Sequence, residues 1–434
     1  MRTTTAIAGA LAVACALSAC GSGTSTGGSG ALEGRTAEVV GTWSGEEQAR
    51  FEKVLAAFSD KTGAKVTYTP AGDELPTVVQ TRVSGGTPPS VALVAQPGFA
   101  AQLARSGAIK PVDGEVQRAV AEHYAPVWET LGSVDGKLYG VYFKAANKST
   151  VWYSPKAFQD AALPVDAPGT WDEFLSVGRA LADAGKPAVS IAGADGWTLT
   201  DWFENVYLRT AGAADYDKLA KHEIPWTDPS VRVALEELAK LFGDQRLVEG
   251  GPAGALQTEF PKSVTTVFGS PGRAAMVFEG DFVSGVISSS TDAAVGEDAV
   301  FFPFPSVRGS APAVVAGGDM AVQFKDDQVT KELMEFLASP EAGAVWAAEG
   351  GYLSANKDIA PGTYPDDVTR ELAGQIVDAG DNVRFDLSDL APAAFGGTKG
   401  AGMWKALQDF LADPTKLDET VQRLEADAAK AYAP

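Results

Sequence analysis

Cysteine and histidine are nearly absent from this chain of 434 residues, which has two of each: Cys15 and Cys20, His123 and His222. Metal centres built from thiolates and imidazoles need three or four such ligands, so they are excluded. A Ser-His-Asp or Cys-His arrangement would have to rest on one of two histidines in unrelated contexts, with no nucleophile elbow nearby. The HEI at 222–224 lacks the second His of a zinc protease. Positive charge is also scarce, with 35 Lys and Arg against 56 Asp and Glu, a formal net charge of -21. Such a balance makes nucleic acid and anionic lipid poor partners; it keeps an exported protein in solution and points more weakly to a neutral or cationic ligand. Beyond the N-terminus no apolar run approaches the roughly 20 residues of a membrane span. The glycine-rich stretches GGP at 250–252 and GGTKGAG at 396–402 lack the Lys and Ser/Thr offset of a phosphate loop and read as turns.

The N-terminus itself carries an address. Arg2 is followed by an apolar run from Ala6 to Leu17 and then by LSAC, ending at Cys20. The run is too short to span a bilayer, and small residues precede the expected cut after Ala19. Ordinary secretory cleavage accounts for the small residues equally well, but not for a Cys at the cut followed by GSGTSTGGSG, a composition that serves as a flexible tether. The segment resembles the lipobox of bacterial lipoproteins, which implies that Cys20 carries a diacylglycerol and that two acyl chains hold the protein to the cell membrane. Residues 1–19 are then a signal peptide and 20–36 a linker. Cys15 leaves with the signal, so no internal disulfide forms, and large hydrophobic cores must hold the rest. With 45% hydrophobic residues over this length, two domains are expected.

From Glu38 onward strands and helices alternate. Glu38 to Thr42 reads as a strand, and Phe51, Val54, Leu55 and Phe58 then fall at helical spacing up to a stop at Gly63. Ala64 to Thr69 and Ser90 to Ala95 read as further strands, with a helix from Phe99 to Ser106. This order argues for an α/β fold with parallel sheets covered by helices. Thr170 and Glu173 make a capping box, and Asp228-Pro229 and Ser339-Pro340 open further helices. Val231, Ala234, Leu235, Leu238 and Leu241 form one apolar stripe, and Leu417, Val421 and Leu424 mark a terminal helix.

Aromatic and acidic residues interleave in segments that read as neither simple strand nor simple helix. WTLTDWFE holds Trp197, Asp201, Trp202 and Glu204, and FEGDF holds Glu279, Asp281 and Phe282. Sugars present apolar C–H faces rimmed by hydroxyls, so flat rings beside carboxylates suit them. Two other readings remain open here. Asp201 with Glu204, or Glu279 with Asp281, is the carboxylate pair a glycoside hydrolase needs; acids with aromatics also cage cations such as polyamines.

In order along the chain, VVGTWSG, PPSVALVAQ, DGKLYGVYF, TWDEF, GRAAMVFEGDF and AVVAGGDMAV resemble the family 1 extracellular solute-binding proteins of ABC importers. FKAANKSTVWYSPKAF, GWTLTDWFE and RFDLSDLAP look most like the branch that binds alpha-glucosides. The resemblance implies a two-lobed periplasmic-binding-protein type II fold, with hinge strands and a ligand cleft between the lobes. It assigns 37–141 with 299–338 to the first lobe and 142–298 with 339–434 to the second, with crossings near 140, 300 and 340. Carried over residue by residue, Trp43, Glu46 and Gln96 line one side of the cleft. Lys144, Asn147, Trp197, Asp201, Trp202, Glu279, Asp281 and Phe282 face them, and Asp319 and Asp386 complete the site. The family often carries a Trp near the Phe282 position, where this chain would stack with Phe. The implied function is capture, without catalysis or cofactor, of a small neutral carbohydrate by an extracytoplasmic, membrane-tethered monomer that delivers it to the transmembrane subunits of an ABC permease.

Overall fold

The computed structural model describes residues 31–165, 167–378 and 383–433. Cys20 and the signal segment lie outside them. The packed chain begins earlier than the expected linker end at 36: Leu32 is buried, and its N–H donates to Thr62 O at 2.9 Å.

At the centre of the first sheet Val91–Val94 is apolar and buried on both faces, as a parallel strand between helical layers must be, while Lys65–Pro70 forms a more polar, exposed edge. Thr36–Gly41 pairs in parallel with Lys65–Pro70 on one side and with Val91–Val94 on the other. The intervening helix Gly45–Thr62 turns Phe51, Val54, Leu55 and Phe58 inward and stops at Gly63, whose φ of 80° is the left-handed conformation glycine takes without strain. The second sheet orders Val300–Pro303, Thr150–Tyr153, Met276–Glu279 and Val189–Ser190 side by side.

Two long antiparallel strands join the lobes. Gly140–Asn147 carries the chain out and Val314–Gln323 brings it back, with a register break between Asp319 and Met320. A third crossing follows Val383–Phe385, which runs parallel to the start of Val314–Gln323. The fold is the two-lobed arrangement expected of the type II binding proteins, with different boundaries. The strand Val300–Pro303 belongs to the second sheet, so the chain returns to the first lobe at 314 rather than near 300. The stretch after 339 stays on the first lobe because its large rings are anchored there. Trp346 packs edge to face on Trp43 at 4.7 Å, and the Tyr352 hydroxyl donates to Phe143 O at 2.6 Å. The second lobe's terminal part therefore starts after Phe385.

The local signals hold where the chain punctuates itself. Thr170 and Glu173 form both halves of the capping box, Asp228 caps Pro229–Phe242, and Ser339 caps Pro340–Ala347. WTLTDWFE differs from the reading given above, since it opens an ordinary helix, Trp197–Ala211, buried from Thr198 to Arg209. Its apolar stripe is hidden because buried polar residues occupy the remaining faces.

Candidate functional site

A cavity of about 690 Å3 lies between the lobes, walled by residues of both. The first lobe contributes the loop and first helical turn after Thr36–Gly41, so that Trp43 and Glu46 meet the cavity, and Gln96 at the end of the third strand. Asp319 enters from the returning hinge strand, Lys144 from the outgoing one, and Trp197 and Phe282 from the second lobe. Seven of the thirteen sequence-derived positions thus line the space.

The other six stand behind the wall. Asp201, Glu279, Asp281 and Asp386 are at most 2% exposed. Asn147 is buried, its backbone N–H donating to Asp281 Oδ1 at 2.6 Å and its side chain to Gln375 Oε1 at 3.0 Å. Trp202 belongs to the second core, 4.4 Å from Phe278 and 5.8 Å from Phe304 between ring centroids. It lies five positions beyond Trp197 in the helix, about 140° off the face that meets the cavity.

Two lysines, Lys144 buried and Lys148 half-buried, organise the charge. Lys144 donates to Glu47 Oε1 at 2.5 Å and lies 5.0 Å from the Trp346 ring and 5.8 Å from those of Trp43 and Phe282. Burial opposes its charge, but Glu47, Asp319 and Asp281 outweigh that and hold its pKa above the ordinary lysine value. Lys148 donates to Asp201 Oδ1 at 3.2 Å and to Asp386, with Asp389 Oδ2 at 3.8 Å. Its stem lies over Gly317, where a Cβ would stand 2.9 Å from Lys148 Cε. Glycine there leaves the lysine room.

The acids respond to burial in different ways. Asp319 is pushed up to about 6 and Asp281 to about 7, mainly by burial and partly relieved by Lys144. Asp201 rises to about 8. Glu279 goes well above the carboxylate range through burial and the neighbouring Asp201 carboxyl. Burial pushes Asp386 upward too, but Lys148 more than reverses it. Glu204 is satisfied by the N–H groups of Leu387 and Ser388 and the hydroxyl of Tyr216. Oxygens of Asp201, Glu204 and Asp386 lie within 4.8 Å of one another, a spacing a cation would suit. The Lys148 ammonium already supplies positive charge there.

Sequence reasoning overlooked several lining residues: Lys148, Asp389, Phe260, Trp404, Asp73 and Lys399. Lys148 was within reach, because alternation along Gly140–Asn147 places 144, 146 and 148 on one face, and all three line the cavity. Phe260 joins Trp197 and Phe282 in a wall of rings with centroids 5.3 to 6.0 Å apart. No local pattern announces it, since the contact comes from a helix some 60 residues away from Trp197.

Against this geometry the family described as bacterial extracellular solute-binding protein matches residues 42–344. The chain belongs to that family. Among relatives of this solute-binding protein, the osmoprotective compounds-binding protein GgtB of Synechocystis sp. is 35% identical over 397 residues, covering 89% of this chain and 91% of its own. The alpha-glucosides-binding periplasmic protein AglE of Rhizobium meliloti is 34% identical over 403 residues, covering 89% and 86%. Among solved structures, the bacterial solute receptor AcbH superposes with a TM-score of 0.79 at 19% identity, over 92% of this chain and 99% of its own. RafE in complex with raffinose gives 0.73 at 16% identity, over 92% and 100%. These likenesses share the two-lobed fold. The relatives are substrate-binding proteins rather than enzymes, which supports a binding role, and no helix among the described residues of the solute-binding protein is long and apolar enough to cross a membrane.

Proposed function

We propose that this protein captures a small neutral carbohydrate, most closely an alpha-glucoside or a similar glycosylated solute, and hands it to an ABC permease while tethered through a lipid on Cys20. The observation that carries this reading is the cavity between the lobes, where Trp43, Trp197, Phe260 and Phe282 offer ring faces among carboxylates, an amide and three ammonium groups. Rings pack on the C–H faces of a sugar, and the polar groups pair with its hydroxyls. In this reading Trp43, Glu46, Gln96, Lys144, Trp197, Phe282 and Asp319 touch the ligand. Asn147, Asp201, Trp202, Glu279, Asp281 and Asp386 hold those groups from behind. Because the contacts come from both lobes, a bound ligand favours the closed form, which is what a delivery protein requires.

The relatives' names point the same way, to alpha-glucosides and osmoprotective compounds. Hydrolysis fits poorly, because both carboxylate pairs proposed for it are buried behind the cavity wall. A polyamine fits poorly too, because Lys144 and Lys148 already place two cations in that wall. Titration calorimetry of the mature protein with maltose, trehalose and spermidine tests the assignment. Heat from a disaccharide, no free glucose on incubation and silence from spermidine are expected; heat from spermidine alone overturns it.

A further inference from the structure

Lys148 is held more tightly than a cavity residue needs to be for packing alone. Its backbone N–H donates to Val315 O at 2.8 Å and its carbonyl accepts from Asn205 Nδ2 at 2.8 Å, so the stem starts from a fixed point between the hinge strands. The side chain is 12% exposed and crosses Gly317 to reach the cavity, 5.6 Å from the Trp197 ring. An ammonium group has three N–H donors. Two go to Asp201 Oδ1 and to Asp386. The third has no hydrogen-bond acceptor among the described residues, because Asp389 Oδ2 at 3.8 Å is beyond reach.

The partners are themselves fixed. Asp386 caps the short helix Leu387–Leu390, its Oδ1 accepting from Asp389 N at 2.9 Å and from Ser388 Oγ at 2.7 Å. Asp201 is fully buried in the helix Trp197–Ala211. Of this group Lys148, Ser388, Asp389 and Trp197 line the cavity, whereas Asp201 and Asp386 do not. One cation thus presents an unused donor, and one carboxylate at 3.8 Å presents an acceptor, beside the face of a Trp. A donor and an acceptor at that separation match two neighbouring hydroxyls of a pyranose ring, whose oxygens lie about as far apart as two hydrogen-bonded groups.

We infer that Lys148 and Asp389 together read two adjacent hydroxyls of the ligand ring stacked at Trp197, with Asp201 and Asp386 as positioning residues that hold the ammonium. This rests on the carbohydrate reading of the cavity. It makes the pair a determinant of which sugar is accepted. A ligand lacking either hydroxyl would leave the spare donor of the Lys148 ammonium or an oxygen of Asp389 without a partner, and a charged hydrogen bond lost this way corresponds to tenfold to about a hundredfold in affinity.

The test is calorimetry with maltose, trehalose and their monodeoxy derivatives on the full mature chain, with circular dichroism and melting midpoints checking that each variant is folded. Wild type should bind at least one parent sugar and reject one or two of its deoxy forms by tenfold or more. Lys148→Met and Asp389→Ala, which removes the acceptor, should weaken the parent by at least tenfold and bind those deoxy forms almost as well as the parent. Lys148→Arg should recover part of the discrimination. Asp201→Asn, which keeps an acceptor oxygen, should retain it where Asp201→Ala loses it, an effect that a purely structural role for Asp201 would not produce. If wild type binds and the variants still discriminate as it does, the Lys148–Asp389 assignment fails and the carbohydrate reading stands. If wild type binds none of these sugars, both fall together. Asp389→Ala keeps the experiment decisive should Lys148→Met not fold.

Discussion

Lys399, in the glycine-rich turn of the second lobe, stands 3.6 Å from Asp73 of the first. Beside this pair, a Cβ on Gly397 would stand 2.3 Å from Gln96 Nε2, so the turn at 396–402 is one of the places where the lobes touch. The ion pair exists only while they do. Half-exposed pairs contribute about 0–1 kcal/mol, or up to about fivefold in affinity. Lys399→Ala should therefore weaken ligand binding two- to fivefold through faster release, and raised salt should act similarly on wild type. The double exchange Asp73→Lys with Lys399→Asp should restore affinity. Stopped-flow release rates check it, and equal rates in all three proteins would show that the pair has no hold on closure.

Gly98 makes a second contact of this kind. A Cβ there would lie 2.1 Å from Ala391 O, against backbone that cannot rotate away. Gly98→Ala should push the first lobe's helix Pro97–Arg105 off the second lobe, costing about 1–3 kcal/mol as overpacking usually does. Ligand binding should weaken as well, since the displacement lies at the lobe interface. Urea denaturation and calorimetry on the same variant measure both, and an unchanged denaturation midpoint would mean that the helix yields at no cost.

Asp281 sets a pH dependence. Its pKa is pushed from 3.8 to about 7, chiefly by burial, so the native state binds a proton there that the unfolded chain has already released. Asp319, raised to about 6, acts in the same direction. A raised folded pKa contributes stability that is complete below pH 3.8 and is lost as the pH climbs through the folded value. The melting midpoint should accordingly fall between pH 5 and pH 8. Asp281→Asn still offers Oδ1 to the Asn147 N–H and should flatten that slope, which melting curves in matched buffers would reveal.

These effects also mark how far the primary structure can be read. Caps, proline-led helix starts and the buried strands Thr36–Gly41 and Val91–Val94 are local, and Thr170, Asp228 and Ser339 announce them without tertiary help. The lobe boundaries are not local. The segment 340–376 stays on the first lobe because Trp346 finds Trp43 and Tyr352 finds Phe143, contacts no window along the chain contains. The site divides in the same way. Trp43 and Gln96 follow strand ends, where a sheet must open onto a cleft, and Lys144 and Asp319 stand opposite each other within the two hinge strands. Asp201 and Asp386 look like ligand-facing acids but are turned into the wall by the lysine between them, itself visible only through the alternation of its strand.

Trp197 and Trp202 put the distinction to a direct test, because one helix carries both and a composition-based reading treats them alike. Trp202 is 1% exposed among Phe278, Trp171 and Phe304, so Trp202→Ala should remove about 3–5 kcal/mol of stability, as large core truncations do. Ligand affinity should then fall only as far as the folded fraction falls. Trp197 meets the cavity beside Phe260, Phe282 and the Lys148 ammonium, and Trp197→Ala should cost about 2 kcal/mol or more of binding while the unfolding midpoint moves little. Denaturation and calorimetry on the two variants separate the roles. Should Trp202→Ala lose affinity at full folding, or Trp197→Ala bind as wild type, the ligand sits elsewhere than between these lobes' ring faces, and the division into touching and supporting residues must be redrawn from that result.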